Sequence, residues 1–463
     1  MLLLRRMAAP ARDTIFALSS GRPPAAIAVI RISGPRARSA LETMIGRVPE
    51  PRRAVLARVR DPAAGDVIDE GLALFFPAPR SETGEDMAEL QVHGGRAVIA
   101  AVLAALAKLE GLRPAEAGEF TRRAFEHGRI DLTAAEGLAD LVAAETEAQR
   151  RQAYRHLKGL LGDRAESWRQ RLIEALALVE AGIDFVDEDD VPKDMMARAL
   201  AMIRPLADEI GRAGAGQGER LRDGLRVAIA GPPNAGKSTL FNRLARREAA
   251  IVSPYPGTTR DVLELHLDLG GYPVTVLDTA GIRATSDPVE REGVRRASEQ
   301  AAGADLVLWL LDAAAVAAAE ECDVPSAIDV SEGCTRWIIV NKTDLIADAA
   351  RRRIESRFAP ELTVHLLSSL NGIGVDELVS ALTRFAAAFF PSEPALVTRE
   401  RQRAQLANTL VALQGAQQAA RDGREEIMAE QLRLATRALG KLLGRVDVED
   451  ILDVIFRDFC IGK

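Results

Sequence analysis

The segment GPPNAGKS (231–238) fits G-x-x-x-x-G-K-[ST], a spacing built to hold a chain of phosphates. Glycines at such positions let backbone N–H groups close around phosphate oxygens. Lys237 has the reach to meet the β and γ oxygens, and Ser238 has the hydroxyl to ligate Mg²⁺. Asn234, Ala235, Gly236, Lys237, Ser238 and Thr239 are therefore candidate nucleotide-binding residues. A glycine-rich turn between a strand and a helix also occurs without a nucleotide, but other segments point the same way. DTAG (278–281) supplies Asp278 to hold Mg²⁺ through water, with Thr279, Ala280 and the Gly281 amide beside the γ-phosphate. GTTRD (257–261) lies between, with Thr258 and with Thr259 placed to complete the metal shell. NKTD (341–344) adds Asn341, Lys342 and Asp344. A carboxylate at 344 accepts from guanine N1–H and the 2-amino group, a donor pair that adenine lacks, so GTP is selected over ATP. SSL (368–370) departs from the commoner S-A-K, yet a backbone amide of Ser368, Ser369 or Leu370 still suits guanine O6.

Hydrolysis also needs an oriented water. Ile282 follows DTAG where Ras-like proteins carry a glutamine, so turnover is either very slow or served by another group. Glu290 in SDPVEREGV is available, though by position alone it reads as an ordinary exposed helix residue. Asn234 has two readings: a ligand for a monovalent cation that replaces an arginine finger, or an asparagine chosen for turn conformation.

These motifs need strands that end beside one another. RVAIA (226–230), VTVLDTA (274–280), DLVLWLLDA (305–313) and RWIIVNKTD (336–344) are apolar runs ending in polar functional residues, the pattern of a parallel sheet with ligand loops at the strand ends. Residues 1–125 read differently. AAIAVIRIS (25–33), GLALFFP (71–77) and MAELQVHGG (87–95) are short strand-like runs around a helix over 98–109, a small α+β domain. From Asp131 the chain has almost no breakers and a helical period up to the acidic loop DFVDEDD (184–190), which reads as a solvated turn because it lacks the alternating ligand spacing of a calcium loop. A second helical stretch reaches about Arg212, AGAGQGER (213–220) is a glycine-rich joint, and the chain is helical again from about Arg399.

The resulting fold class is multidomain α/β plus α. The expected boundaries are 1–125 for the α+β domain, 126–222 and 384–463 for two parts of a helical domain, and 223–383 for a Ras-like P-loop GTPase domain inserted between them. With 463 residues, 48% hydrophobic and 27% charged, the chain is globular in composition and too long for one core. A net charge of −7 argues against coating nucleic acid by bulk electrostatics and leaves room for a local basic patch. Cys322, Cys334 and Cys460 form no C-x-x-C pair, so a reducing cytoplasm is expected rather than a disulfide framework or zinc knuckle. No apolar run is long enough to span a bilayer. The start MLLLRRMAAPAR reads equally as a weak targeting segment or as an upstream start with Met7 the alternative.

The chain resembles the MnmE (TrmE) family of tRNA uridine modification GTPases. The resemblance is carried by DTIFA (13–17), IRISG (30–34), TGEDMAELQVHGG (83–95), GEFTRRAF (118–125), IDLTAAEGLADL (130–141), GIDFVDED (182–189), the nucleotide motifs and the terminal FCIGK (459–463). It implies a homodimer through the N-terminal domain, where a tetrahydrofolate one-carbon carrier (5-formyl or methylene) binds. It also implies work with the flavoprotein MnmG, which brings FAD, on C5 of the wobble uridine of certain tRNAs, and GTPase domains that pair with potassium. Carried over by residue, Asn234, Ser253, Tyr255 and Thr258 match potassium ligands, with Ser253 and Thr258 also on the nucleotide, and Glu290 matches the water-orienting glutamate. Pro254 and Pro256 flank Tyr255, a departure that restricts this loop's dihedrals. Folate contacts map to Arg31, Glu89, Arg129 and Lys463, with arginine at 129 where the family commonly has lysine. Cys460 matches the terminal cysteine expected near the modification centre, and reads equally as a small buried hydrophobe. The functional expectation is a potassium-stimulated GTPase in tRNA modification. A regulatory GTPase of ribosome assembly and a GTP-binding scaffold with negligible turnover are the alternatives.

Overall fold

A computed structural model describes residues 13–184, 194–215, 218–247, 249–251, 263–278, 303–318, 334–355, 357–358, 362–390, 395–446, 449–457, 459 and 461–462. The chain divides into two compact units. One is made of Met1–Ala139, Arg155–Ile210 and Ala404–Lys463, the other of Asp140–Tyr154 and Gly211–Arg403.

The first unit contains a six-stranded sheet from β1 (Thr14–Leu18), β2 (Ile27–Ser33), β3 (Val55–Arg60), β4 (Val67–Phe76), β5 (Met87–His93) and β6 (Leu112–Pro114), in the order β3-β4-β5-β2-β1-β6. Pairing is antiparallel except where β6 runs parallel to β1. Alternation along IAVIRIS turns Ile30 and Ile32 into the core and puts Arg31 on the other face. Helices Ala37–Ile45 and Arg96–Ala107 cover the apolar face with Leu41, Met44, Val102 and Leu106. The second of these begins two residues before the expected 98–109 helix. β1, β3 and β6 were not expected, being too short for a clear alternating signature.

The helical run from Asp131 proves to be three helices, Leu132–Ala143, Glu147–Leu157 and Gly162–Asp184. A capping box marks one break: Gln149 N–H donates to Thr146 Oγ1 at 3.5 Å, and Thr146 N–H donates back to Gln149 Oε1 at 3.1 Å. The other break carries Gly159 at φ +92. Gly162–Asp184 packs along Glu425–Leu443, with Arg433 and Glu180 paired at 2.8 Å, so segments on either side of residues 211–403 meet inside the first unit. Ile461 bridges Ala117, and Ser19 Oγ donates to the Gly462 carbonyl at 2.8 Å.

The second unit holds β7 (Leu225–Ala230), β8 (Leu263–Leu269), β9 (Tyr272–Asp278), β10 (Leu306–Asp312), β11 (Thr335–Asn341) and β12 (Thr363–Leu366), in the order β12-β11-β10-β7-β9-β8. All pairings are parallel except β8 with β9. Helices Lys237–Ala245 and Val375–Phe389 bury Leu240, Leu244, Leu378 and Leu382 against the sheet. Each anticipated strand is present within a residue or two of its expected start. β8 was not anticipated, though LELHLDL alternates and the turn Gly270-Gly271, at φ +65 and +89, suits a tight hairpin. Among the described residues no helix is long and apolar enough to cross a membrane.

Candidate nucleotide site and a second polar cluster

The turn after β7 approaches its neighbours too closely for side chains. A Cβ on Gly231, at φ +139, would lie 2.3 Å from the Leu310 carbonyl oxygen, and one on Gly236, at φ +97, would lie 2.2 Å from Asn341 Nδ2. Helix Lys237–Ala245 begins there, and the exposed Ser238 and Thr239 stand in its first turn. Its early N–H groups and the positive end of its dipole form an anion-binding terminus. The Lys237 ammonium donates to the carbonyls of Gly231 at 2.8 Å and Pro232 at 3.0 Å, which keeps the charge on the loop. This arrangement suits a phosphate chain. Ala235 is buried beneath it. Asn234 is exposed at φ +61, a conformation that asparagine tolerates better than most residues. That accounts for asparagine by the turn and leaves its side chain open to a cation.

Asn341 ends β11 fully buried and joins two loops. Its Nδ2 donates to the Ala235 carbonyl at 2.8 Å, while its Oδ1 accepts from the Ser369 N–H at 2.9 Å and lies 2.9 Å from Ser369 Oγ. The phosphate loop and residues 368–370 are thereby fixed to one amide side chain. Lys342 follows at φ +63, and its Nζ pairs with Asp312 Oδ2 at 2.7 Å. Burial alone would raise the Asp312 carboxyl. Hydrogen bonds from Lys342 and the Ala314 N–H outweigh that and hold it below its ordinary range, so the pair stays charged. Asp344 lies exposed in the turn Thr343–Leu345. Ser368 and Ser369 are buried, and Leu370 is 71% exposed. Asp312 and Arg243, which meets residues 369 and 370, were missed in the sequence. Asp312 closes the expected strand 305–313, and a carboxylate at the end of a parallel strand was the available signal.

The structure thus brings together Asn234 through Thr239, Asn341, Lys342, Asp344 and Ser368 through Leu370. Asp278 ends β9, with its backbone opposite Ile229 of β7. Ser253, Tyr255, Thr258, Thr259, Thr279, Ala280, Gly281, Ile282, Glu290, Cys460 and Lys463 lie outside the described residues, as does most of the acidic loop 184–190.

The first unit carries the residues matched to folate. Arg31 and Glu89 are direct cross-strand partners on β2 and β5, with Arg31 Nε 3.0 Å from Glu89 Oε1 and Arg31 Nη1 2.8 Å from Glu82. Arg129 is exposed, its Cγ beside Gly84. The Ser19–Gly462 hydrogen bond puts the end of the C-terminal segment at the end of β1, which pairs with β2 across Ala17 and Arg31. Below lies a buried charge cluster not foreseen from the sequence. Arg123, 2% exposed, meets Glu119 at 2.9 Å, Asp13 at 3.0 Å and Glu85 at 3.1 Å, while Arg113 binds Glu119 at 2.6 Å. Burial pushes the Asp13 and Glu119 carboxyls up, but bonds from Arg113 and Arg123 prevail and hold both below their ordinary range. Ser33 and Thr83, 2.7 Å apart, join through Ser33 to Glu85 at 2.8 Å. The segments 83–86 and 118–123 are thus tied by charge.

Comparison with known proteins places two family models along the chain. Residues 14–129 match the model of the GTP-binding protein TrmE N-terminus, and residues 132–460 match that of the MnmE helical domain. The tRNA modification GTPase MnmE of Bradyrhizobium sp. (strain BTAi1) is 57% identical over 457 residues, covering 98% of this chain and 100% of that one. That of Rhodopseudomonas palustris (strain BisB18) is 56% identical over 454 residues, covering 98% and 99%. Among solved structures, an Era variant of Aquifex aeolicus bound to GDP and aluminium fluoride matches 40% of this chain and 66% of its own at 25% identity, with a TM-score of 0.27.

Proposed function

Since the chain belongs to the MnmE family of tRNA modification GTPases, we propose that it uses GTP hydrolysis, together with the flavoprotein MnmG, to add an aminomethyl-type group to C5 of the wobble uridine of certain tRNAs. The observation that carries this reading is the identity of 57% along 98% of the chain, spanning both units rather than the nucleotide site alone. The same breadth favours it over ribosome assembly, because the match to named tRNA modification GTPases runs along the whole chain and not through the nucleotide motifs alone.

In this reading, Asp344 accepts from the N1–H and 2-amino group of guanine, and the Asn341 amide sets the distance between base and phosphates. Lys237 and the first-turn amides of helix Lys237–Ala245 stabilise charge on the β and γ phosphates, mainly by position and electrostatics. Ser238, Thr259 and, through water, Asp278 are the proposed Mg²⁺ ligands. Asn234, Ser253, Tyr255 and Thr258 are the proposed potassium ligands. These ions supply positive charge toward the transferring phosphoryl group. Glu290 orients the attacking water in place of the glutamine that Ile282 replaces. Arg31, Glu89, Arg129 and Lys463 hold the folate carrier, and the chain works as a homodimer in the cytoplasm, with FAD supplied by MnmG. The Arg31–Glu89 pair and the arrival of the C-terminal segment at β1 support a polar site on that face.

The test is the wobble-base nucleoside profile of tRNA from a strain lacking this chain. Loss of the C5-substituted uridine, restored on re-expression, is expected. A normal profile in the deletion strain would remove tRNA modification as the function.

A further inference from the structure

In the base loop, one amide has its direction set from behind. The Ser369 N–H donates to Asn341 Oδ1 at 2.9 Å and is therefore engaged within the protein. On the other side Arg243, of helix Lys237–Ala245, donates from Nε to the Ser369 carbonyl at 3.0 Å and from Nη2 to the Leu370 carbonyl. Gly372, at φ +86, makes room for this contact, because a Cβ there would lie 3.1 Å from Arg243 Nη1. In a trans peptide, the carbonyl and the following N–H point in opposite directions. Holding the Ser369 carbonyl toward Arg243 therefore turns the Leu370 N–H the other way, to the outer side of the loop. Among the described residues this N–H has no hydrogen-bond acceptor. The neighbouring base-reading turn is joined to the same loop, with Thr343 N–H donating to the Leu367 carbonyl at 3.2 Å.

We infer that Arg243 is a positioning residue for base selection, fixing the Leu370 N–H as the donor to the 6-oxygen of the purine. This rests on reading the second unit as a guanine-nucleotide site. A 6-amino group would set N–H against N–H, so the arrangement rejects adenine at a second edge, independent of Asp344. It also accounts for the loop's tolerance of leucine at 370, since the contact comes from the backbone and its aim comes from a guanidinium on another element.

The test uses the full chain with Arg243→Met, which keeps much of the apolar stem, and Arg243→Lys, which keeps one charged donor. Binding is measured for GDP and for 2-aminopurine riboside diphosphate, which has no 6-oxygen. Arg243→Met is expected to weaken GDP about tenfold and to leave the 2-aminopurine nucleotide within about twofold of wild type. Arg243→Lys recovers part of the GDP affinity. Unchanged GDP binding in Arg243→Met, or equal weakening of both nucleotides, overturns the inference, the second because it would show only a loosened loop. A wild-type protein that fails to prefer GDP over ADP would instead overturn the guanine-nucleotide reading on which it rests.

Discussion

The two units handle charge in opposite ways. In the first, cations and carboxylates neutralise each other: Arg123 is enclosed by Asp13, Glu85 and Glu119, and Arg31 by Glu82 and Glu89. In the second, the phosphate loop and the base loop are joined through a neutral side chain. The Asn341 amide ties two loops, and the Lys237 ammonium donates to the carbonyls of Gly231 and Pro232. A ligand rich in phosphate suits such a place, because the N-terminus of helix Lys237–Ala245 presents N–H groups and the positive end of its dipole there. The buried cluster around Arg123, which cancels its own charge, ties segments of the fold together. Residues quoted for one and the same family resemblance therefore do two kinds of physical work.

The comparison can be broken most forcefully in the first unit. Arg123→Met removes the central cation and leaves carboxylates facing one another, so a loss of about 3 kcal/mol is expected, the lower end for breaking a buried pair because Asp13 is partly exposed. Denaturant unfolding of that unit measures it, and a loss under about 1 kcal/mol would show the cluster to be dispensable. In the second unit the charge is proposed to come from outside. Exchanging potassium for sodium should slow GTP turnover by about tenfold or more, and Glu290→Ala should keep nucleotide binding while losing most turnover in either salt. Equal rates in both salts remove the cation, and an unchanged kcat removes Glu290. The smallest effect is on acidification. The Asp13 and Glu119 carboxyls sit below their ordinary values of 3.8 and 4.5, so their contribution is complete above those values and is lost as the pH falls through the lower folded ones. Amide exchange corrected for intrinsic rates should show helix Glu119–Glu126 losing protection as the pH is lowered below 4.5, ahead of Lys237–Ala245, where the Asn341 tie does not titrate. Parallel loss in both helices would contradict the contrast.

What the sequence made legible depended on where the constraint lies. GPPNAGKS and NKTD are short segments whose chemistry is local, and the structure brings them together. The strand ends before them were legible because parallel strands buried on both faces are continuous apolar runs. Short elements such as β6 offer no period to read. The break at Thr146 was written locally as T-E-A-Q, but a helical pattern on either side concealed it. Arg123 stands in a recognised motif, yet its burial follows from Asp13 and Glu85, distant in sequence, so only the fold shows its purpose. Arg243 is similar, because its partners at 369 and 370 are brought to it by the parallel sheet. Asp312 was closer to reach, being the last polar residue of an anticipated strand.

The hydrogen bond between Ser19 and Gly462 spans 443 positions. A contact of that separation closes a very long loop, and its entropy must be met by structure already in place. The first unit draws on segments from both sides of residues 211–403, whereas most of the second is a single continuous stretch. During synthesis from the N-terminus, the nucleotide-binding unit therefore has its whole sequence available while the other still lacks its closing helices and the strand-like bridge at Ile461. A ribosome that stops after residue 403 releases a chain with its GTP machinery present in sequence and its first unit unfinished.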